Sequence, residues 1–254
     1  MSTFKFNKNF DLDGKVALIT GAGKGIGKAI ALFYARKGAD VILVGKSTNI
    51  EQVEHEIYES NNESNNKCLS LLYDITKTEN IKKIIQASLN KFGKIDILVN
   101  NAGIVLLDDS VNMPKQEWDK IIEVNLTAPF LLSQAVGKEM INRKYGKIIN
   151  ISSLAGVLGY DRRAAYCASK AGLIGLTKAL AFEWARYNIT VNAISPTVTL
   201  TEMAKIAWSG KEGDKMRKKI PLGRFIYPEE VAAVAAFLAS DAACLLYTSP
   251  SPRD

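Results

Sequence analysis

The sequence predicts an α/β fold in which one domain winds helices over both faces of a parallel sheet, and three observations carry that prediction. Short apolar runs alternate along the chain with longer stretches of helical period. The short runs are almost continuously apolar, the pattern of strands buried on both faces. The length of 254 residues suits one generous α/β unit, and neither a Pro/Gly-rich linker nor an internal repeat divides it.

The strands read, in order, as KVALIT (15–20), DVILVG (40–45), KCLSLLY (67–73), IDILVN (95–100), KIINIS (147–152) and ITVNAIS (189–195). Helical period fills 25–37, 50–60, 78–92, 115–141, 164–187 and 228–239 between and after them. The polar run NNESNN (61–66) reads as a surface loop before the third strand. Right-handed crossovers between parallel strands then put the ligand crevice at the strands' carboxyl ends.

The last stretch, CLLYTSPSPRD (244–254), breaks this pattern. Back-translated, it matches a sequencing-library adapter read in frame; the other reading is a natural Ser/Pro-rich tail. On the first reading the domain is residues 1–243, followed by a non-native tail. By the family resemblance described below, the sheet is then expected to lack its last strand, leaving an exposed edge and an aggregation-prone chain.

Composition narrows the function classes. With 47% hydrophobic and 23% charged residues, the chain can bury a core and is not disordered. No apolar run approaches the roughly 18–20 residues of a membrane helix, and no apolar run of signal-peptide length precedes the first strand. The three cysteines, Cys68, Cys167 and Cys244, are dispersed with no CxxC, which argues against disulfides or a cysteine-built metal site and fits a cytoplasmic setting. The one histidine, His55, sits in a polar helix, so histidine triads and histidine-rich metal sites are excluded. The formal charge of +7 is scattered among acids, and the densest basic cluster, 215–219, is short. A phosphorylated small ligand or a solvated surface explains the charge better than nucleic acid.

The first strand runs into Thr20-Gly21-Ala22-Gly23-Lys24-Gly25-Ile26-Gly27 and then a helix. Glycines there allow a tight turn and let backbone N–H groups approach a diphosphate at the positive end of the helix. Further along stand NNAG (100–103), Asn125 in VNLTAPF, Ser153 in NISSLAG, and Tyr166-Cys-Ala-Ser-Lys170. In this order and spacing the chain resembles the short-chain dehydrogenase/reductase family over residues 12–243, which implies a Rossmann-like fold and a nicotinamide cofactor.

Tyr166 and Lys170, four apart within a helical period, share one face of a helix. A free tyrosine titrates near ~10, too high for a base at neutral pH, and an ammonium one turn away is expected to lower it. Tyr166 then removes a hydroxyl proton in oxidation or donates one in reduction. By the resemblance, Ser153, thirteen residues before Tyr166, orients the substrate oxygen; its neighbour Ser152 reads as a turn cap. Asn125 is implied to hold a water that extends the proton relay to Lys170.

For the cofactor, the resemblance implies contacts from Gly21, Lys24, Gly25, Ile26 and Gly27 in the turn. It adds Lys46 after the second strand, Asp74 and Ile75 after the third, and Asn101, Ala102 and Gly103 after the fourth. Tyr166, Lys170, Pro196, Thr199 and Thr201 complete the set. Thr197 stands where the family has glycine, leaving the backbone turn there open. Gly45 occupies the place of the acid that bonds the adenosine ribose in NAD enzymes. With Lys24 and Lys46 nearby, NADP(H) is favoured and NAD(H) is the alternative.

Within the family the chain looks most like polyol dehydrogenases of the galactitol and threitol type. That implies reversible oxidation of a secondary alcohol, with Asp161, Arg162 and Arg163 as candidate substrate-facing groups and Trp208 on a lid. A 3-oxoacyl-carrier-protein reductase is the alternative, and a non-catalytic dinucleotide-binding module a further one. The expected partners are a small alcohol or ketone and a second copy of the chain, as homodimer or homotetramer, with no nucleic acid and no membrane.

Overall fold

The computed structural model describes residues 10–60 and 67–243. The polar run 61–66 and the tail 244–254, with Cys244, lie outside the described residues. Six strands form one sheet: β1 (Val16–Thr20), β2 (Asp40–Gly45), β3 (Cys68–Leu72), β4 (Ile97–Asn100), β5 (Gly146–Ile151) and β6 (Ile189–Ile194). Their order is β3-β2-β1-β4-β5-β6, and every pairing is parallel. All six expected strands are present within two residues of their expected ends.

The apolar runs bury both faces because alternate residues point into two separate cores. One core joins Ile19, Leu43, Val99 and Ile149 to α1 (Gly25–Arg36), α2 (Asn49–Ser60) and α9 (Pro228–Ala239). The other joins Leu18, Ile42, Leu98 and Ile148 to α3 (Thr78–Phe92), α5 (Ala128–Arg143) and α6 (Ala164–Trp184). Helix α1 is fixed to α9 by the Tyr34 hydroxyl, which donates to the Ala235 carbonyl at 2.8 Å.

The helical stretch expected over 115–141 divides into α4 (Lys115–Ile122), a wider π-helical turn (Glu123–Thr127) and α5. Pro129 explains the break. It has no N–H to offer the carbonyl of Asn125, so the helix widens and the Ala128 N–H reaches back five residues to Glu123. Two short helices absent from the sequence reading, α7 (Glu202–Ala207) and α8 (Gly210–Lys218), follow β6.

The strand order reverses between β1 and β4, so the loops leaving their carboxyl ends diverge and open a crevice. Among the described residues, no helix is long and apolar enough to cross a membrane.

Candidate active site

The floor of the crevice is the turn after β1. Helix α1 begins at Gly25 with no side-chain cap, which leaves the N–H groups of Gly25, Ile26 and Gly27 without a capping side chain. A methyl on Gly27 would lie 2.2 Å from the Gly21 carbonyl oxygen, and Gly25 holds a left-handed φ of 56°. Only glycines let the backbone fold this closely, and the result is a shallow cradle of amides at a helix N-terminus, suited to a diphosphate. The Ile26 side chain is partly buried and packs against the core.

The loop after β4 is tied to this turn. Asn101 donates its side-chain amide to the carbonyls of Thr20 (2.9 Å) and Gly21 (3.3 Å). The buried Thr20 hydroxyl accepts from the N–H groups of Asn101 (3.0 Å) and Ala102 (3.1 Å). Thr20 was missed in the sequence reading; a hydroxyl ending an otherwise apolar strand was the available signal.

Asn125 lies in the π-helical turn with no exposed surface. Its side-chain oxygen accepts the Ile104 N–H at 2.8 Å, and its amide donates to the Ile104 carbonyl (2.9 Å) and the Ser169 hydroxyl (3.1 Å). The side chain therefore clamps the loop after β4 onto α6. A methyl on Gly103 would meet both Asn125 Oδ1 (3.3 Å) and Lys170 Nζ (3.5 Å), so these groups close around one point.

The end of β5 is bolted to α6 at Lys170. The Lys170 ammonium donates to the Ile151 carbonyl at 2.8 Å, and the Ser152 hydroxyl donates to the Lys170 carbonyl at 2.9 Å. The two serines thus separate: Ser152 is buried in this joint, whereas Ser153 caps the short turn Leu154–Gly156 and hydrogen-bonds the phenol of Tyr166.

Lys170 Nζ lies 5.7 Å from the centre of the Tyr166 ring. Burial pushes the ammonium down to about 8. Burial also raises the phenol above its ordinary value, and the hydrogen bond from Ser153 and the positive charge of Arg163 reverse only part of that. The expected lowering of the phenol by Lys170 is therefore not found: burial outweighs the groups that lower it. Desolvation disfavours the charged form of both groups.

Where the adenosine end of a dinucleotide was expected, the arrangement differs from two free lysines. Lys46 forms an ion pair of 2.7 Å with Asp74, while Lys24 is exposed and without an ion pair among the described residues. Burial would raise the Asp74 carboxyl, but Lys46 and the hydrogen bonds from Thr76 hold it below the usual carboxylate range. The Ile75 side chain is core, leaving only its backbone to meet a ligand.

After β6, the Pro196 carbonyl accepts from Leu154 N–H at 3.0 Å, joining the loops that leave β5 and β6. Thr197 is not among the residues with positive φ, so the substitution of glycine carries no left-handed strain. Thr199 is buried in a bridge to Ile226, and Thr201 caps α7 while its methyl carbon lies where a side chain on Gly25 would reach, 2.9 Å from that point. The three candidate groups before α6 also separate. Arg162 is 3.5 Å from Asp109, Asp161 is exposed, and Arg163 lies against Tyr160 and Trp208.

His55 is exposed and pairs with Glu59, as its polar helix led one to expect. No group of three or more potential metal ligands occurs among the described residues.

Comparison with known proteins shows the family. The family described as short chain dehydrogenase matches residues 15–212. An NAD-dependent glycerol dehydrogenase of Listeria innocua is 50% identical over 96% of this chain and 94% of its own length. A D-threitol dehydrogenase of Mycolicibacterium smegmatis is 44% identical over 94% of this chain and 90% of its own. Among solved structures, a putative NAD(P)-dependent gluconate 5-dehydrogenase from Beutenbergia cavernae with bound NADP superposes with a TM-score of 0.88. It is 35% identical, with 95% of each chain covered.

Proposed function

The chain belongs to the short chain dehydrogenase family, and from that we propose that it interconverts the secondary alcohol of a small polyol and its ketone, with Tyr166 exchanging the proton. As a member it is an NAD(P)-dependent oxidoreductase acting on an alcohol. The observation that carries the assignment of roles is the convergence of Ser153, Tyr166 and Lys170 at the end of β5, beside the amide cradle.

The bound dinucleotide supplies the acceptor or donor of hydride. The cradle at Gly21, Gly25 and Gly27, with no side chain in the way, fits its diphosphate. Ser153 holds the substrate oxygen, and Tyr166 takes the carbinol proton in oxidation or returns it to the ketone in reduction. Phenolate formed beside the Lys170 ammonium makes an ion pair, the arrangement in which two desolvated groups stabilise each other. Asn125 acts as a positioning residue, holding the loop from Asn101 to Ile104 against α6. A water held toward Lys170 would bond the Asn125 main-chain carbonyl, to which Pro129 offers no N–H.

A small polyol as substrate is supported by the two relatives named above, which act on glycerol and threitol. The 3-oxoacyl-carrier-protein reductase reading shares the machinery and is less well supported, the reductases of that name from Vibrio cholerae and Thermotoga maritima being 39% and 42% identical. Oxidation of glycerol and threitol, measured against reduction of an acetoacetyl thioester, separates them; faster turnover of the thioester would reverse the choice.

NADP(H) is favoured by Gly45 at the end of β2, where no acid repels a 2′-phosphate, and by exposed Lys24. NAD(H) is favoured by the Lys46–Asp74 ion pair, which occupies one of the two cations, and by the NAD dependence of the 50% identical relative. KM for both cofactors in wild type and K24E decides: a rise confined to NADP supports the first reading.

A homodimer or homotetramer is supported by Trp118, Phe130 and Phe182, exposed on α4, α5 and α6. A cytoplasmic setting is supported by the free cysteines Cys68 and Cys167. Light scattering of the purified protein tests the oligomer.

A further inference from the structure

The mouth of the site carries a cation that the proposed chemistry has not used. Arg163 is the N-cap residue of α6, three positions before Tyr166. The preceding residue, Arg162, takes a left-handed φ of 56°, unusual for a side chain of this size. Its carbonyl accepts from Asp108 N–H at 3.2 Å and its guanidinium is 3.5 Å from Asp109. That step commits Arg162 to the loop after β4 and leaves Arg163 to the site.

There the Arg163 guanidinium lies 5.8 Å from the Tyr160 ring and 5.9 Å from the Trp208 ring. These aromatic faces hold a planar cation without consuming its N–H groups. One hydrogen bond uses them, to the Asp161 carbonyl at 3.3 Å. A guanidinium carries five N–H donors, so most of its capacity is open. Among the described residues no carboxylate pairs with it, whereas Arg162, Lys205, Arg217 and Arg224 each have an acid. Its positive charge also favours the ionised form of the Tyr166 phenol.

We propose that Arg163 is a specificity-determining residue whose open N–H donors receive a carboxylate or phosphate carried by the substrate near the reacting carbinol, so that an acidic polyol is preferred to a neutral one. This rests on the alcohol oxidation proposed above. There the carbinol loses a hydride to the oxidised nicotinamide and a proton to Tyr166, and the anionic group takes no part in the redox balance. A planar fork beside the phenol fixes the substrate at two points, and oxyanions are the partners it matches best.

The test compares wild type, R163Q, R163K and Y166F on substrates sharing one carbinol pattern: glycerol and threitol, the carboxylates glycerate and threonate, and glycerol 3-phosphate. Wild type is expected to show kcat/KM about tenfold or more higher for a charged member than for its neutral counterpart. R163Q is expected to lose at least about tenfold more on the charged member than on the neutral one, chiefly through KM, with partial retention in R163K. The carboxylate and phosphate arms tell which anion is taken.

Equal use of charged and neutral members by wild type would overturn the proposal. So would an equal loss on both classes in R163Q, which would make Arg163 a latch between Tyr160 and Trp208. Turnover of neutral polyols alone, abolished in Y166F, keeps the proposed reaction and removes the role of Arg163; no turnover of any member removes both.

Discussion

Lys170 and Tyr166 share one face of α6 with the ammonium 5.7 Å from the centre of the phenol ring, and burial drives each toward its neutral form. The pair is therefore poised and not pre-ionised. Charge on one becomes favourable when charge of the opposite sign appears on the other. This gives the site a stability cost that can be measured apart from turnover.

Lys170 titrates at about 8 in the folded protein against an ordinary 10.5. That difference amounts to roughly 3 kcal/mol of destabilisation when the group is charged. K170M removes the cost but loses the bond to Ile151, worth about 1 kcal/mol. At pH 7 the variant is expected to melt about 4–6 °C higher while losing turnover. The unfolded state binds the proton more tightly, so wild-type stability rises as pH climbs from about 8 to 10.5 and the gap to K170M closes there. Melting curves at pH 7 and pH 10 check both signs.

Ser153 and Ser152 are expected to fail differently. S153A removes a hydrogen bond that favours the phenolate of Tyr166. Oxidation uses the phenolate and so rises with pH; without that bond the rising limb of kcat/KM moves to higher pH, and the rate falls by about 10²-fold. S152A breaks the bond to the Lys170 carbonyl and costs about 1 kcal/mol of stability instead. A pH–rate profile and a urea titration of both variants separate the two roles.

N125A strips three hydrogen bonds at once, two part-buried and one buried, leaving the Ile104 N–H and carbonyl and the Ser169 hydroxyl short of partners. A loss of about 3 kcal/mol in urea unfolding is expected. Turnover should fall with it, since the loop carrying Gly103 is released beside Lys170.

These roles were only partly legible in the sequence. The strands could be read because sheet burial on two faces demands unbroken apolar runs, and the Tyr166–Lys170 face followed from helical spacing. Spacing says nothing of burial, so the direction of the Tyr166 shift was misjudged. The π-helical turn depends on a proline four residues beyond Asn125, a local clue that an apolar periodicity hides. The Lys46–Asp74 pair joins positions far apart in the chain that meet only because β2 and β3 are neighbours. Likewise, nothing in the order Asp161-Arg162-Arg163 reveals that a left-handed step at Arg162 separates the two arginines.

The amide cradle makes a separate prediction. In G27A the new methyl would sit 2.2 Å from the Gly21 carbonyl, so the turn must open. Overpacking of this kind costs about 1–3 kcal/mol, and affinity for NAD(P)H is expected to fall more than tenfold by calorimetric titration. G159A, with nothing within 4 Å of the new carbon, should match wild type in both respects.

The proton-transfer role of Tyr166 is tested most directly by Y166F. Its turnover of glycerol and threitol is followed through absorbance of the reduced cofactor, alongside a separate titration of dinucleotide binding. Removal of one hydroxyl should leave melting temperature and cofactor affinity close to wild type and lower kcat by at least about 10²-fold. Turnover within about threefold of wild type, with the cofactor bound normally, would contradict it, since general acid–base catalysis contributes at least ~10²-fold.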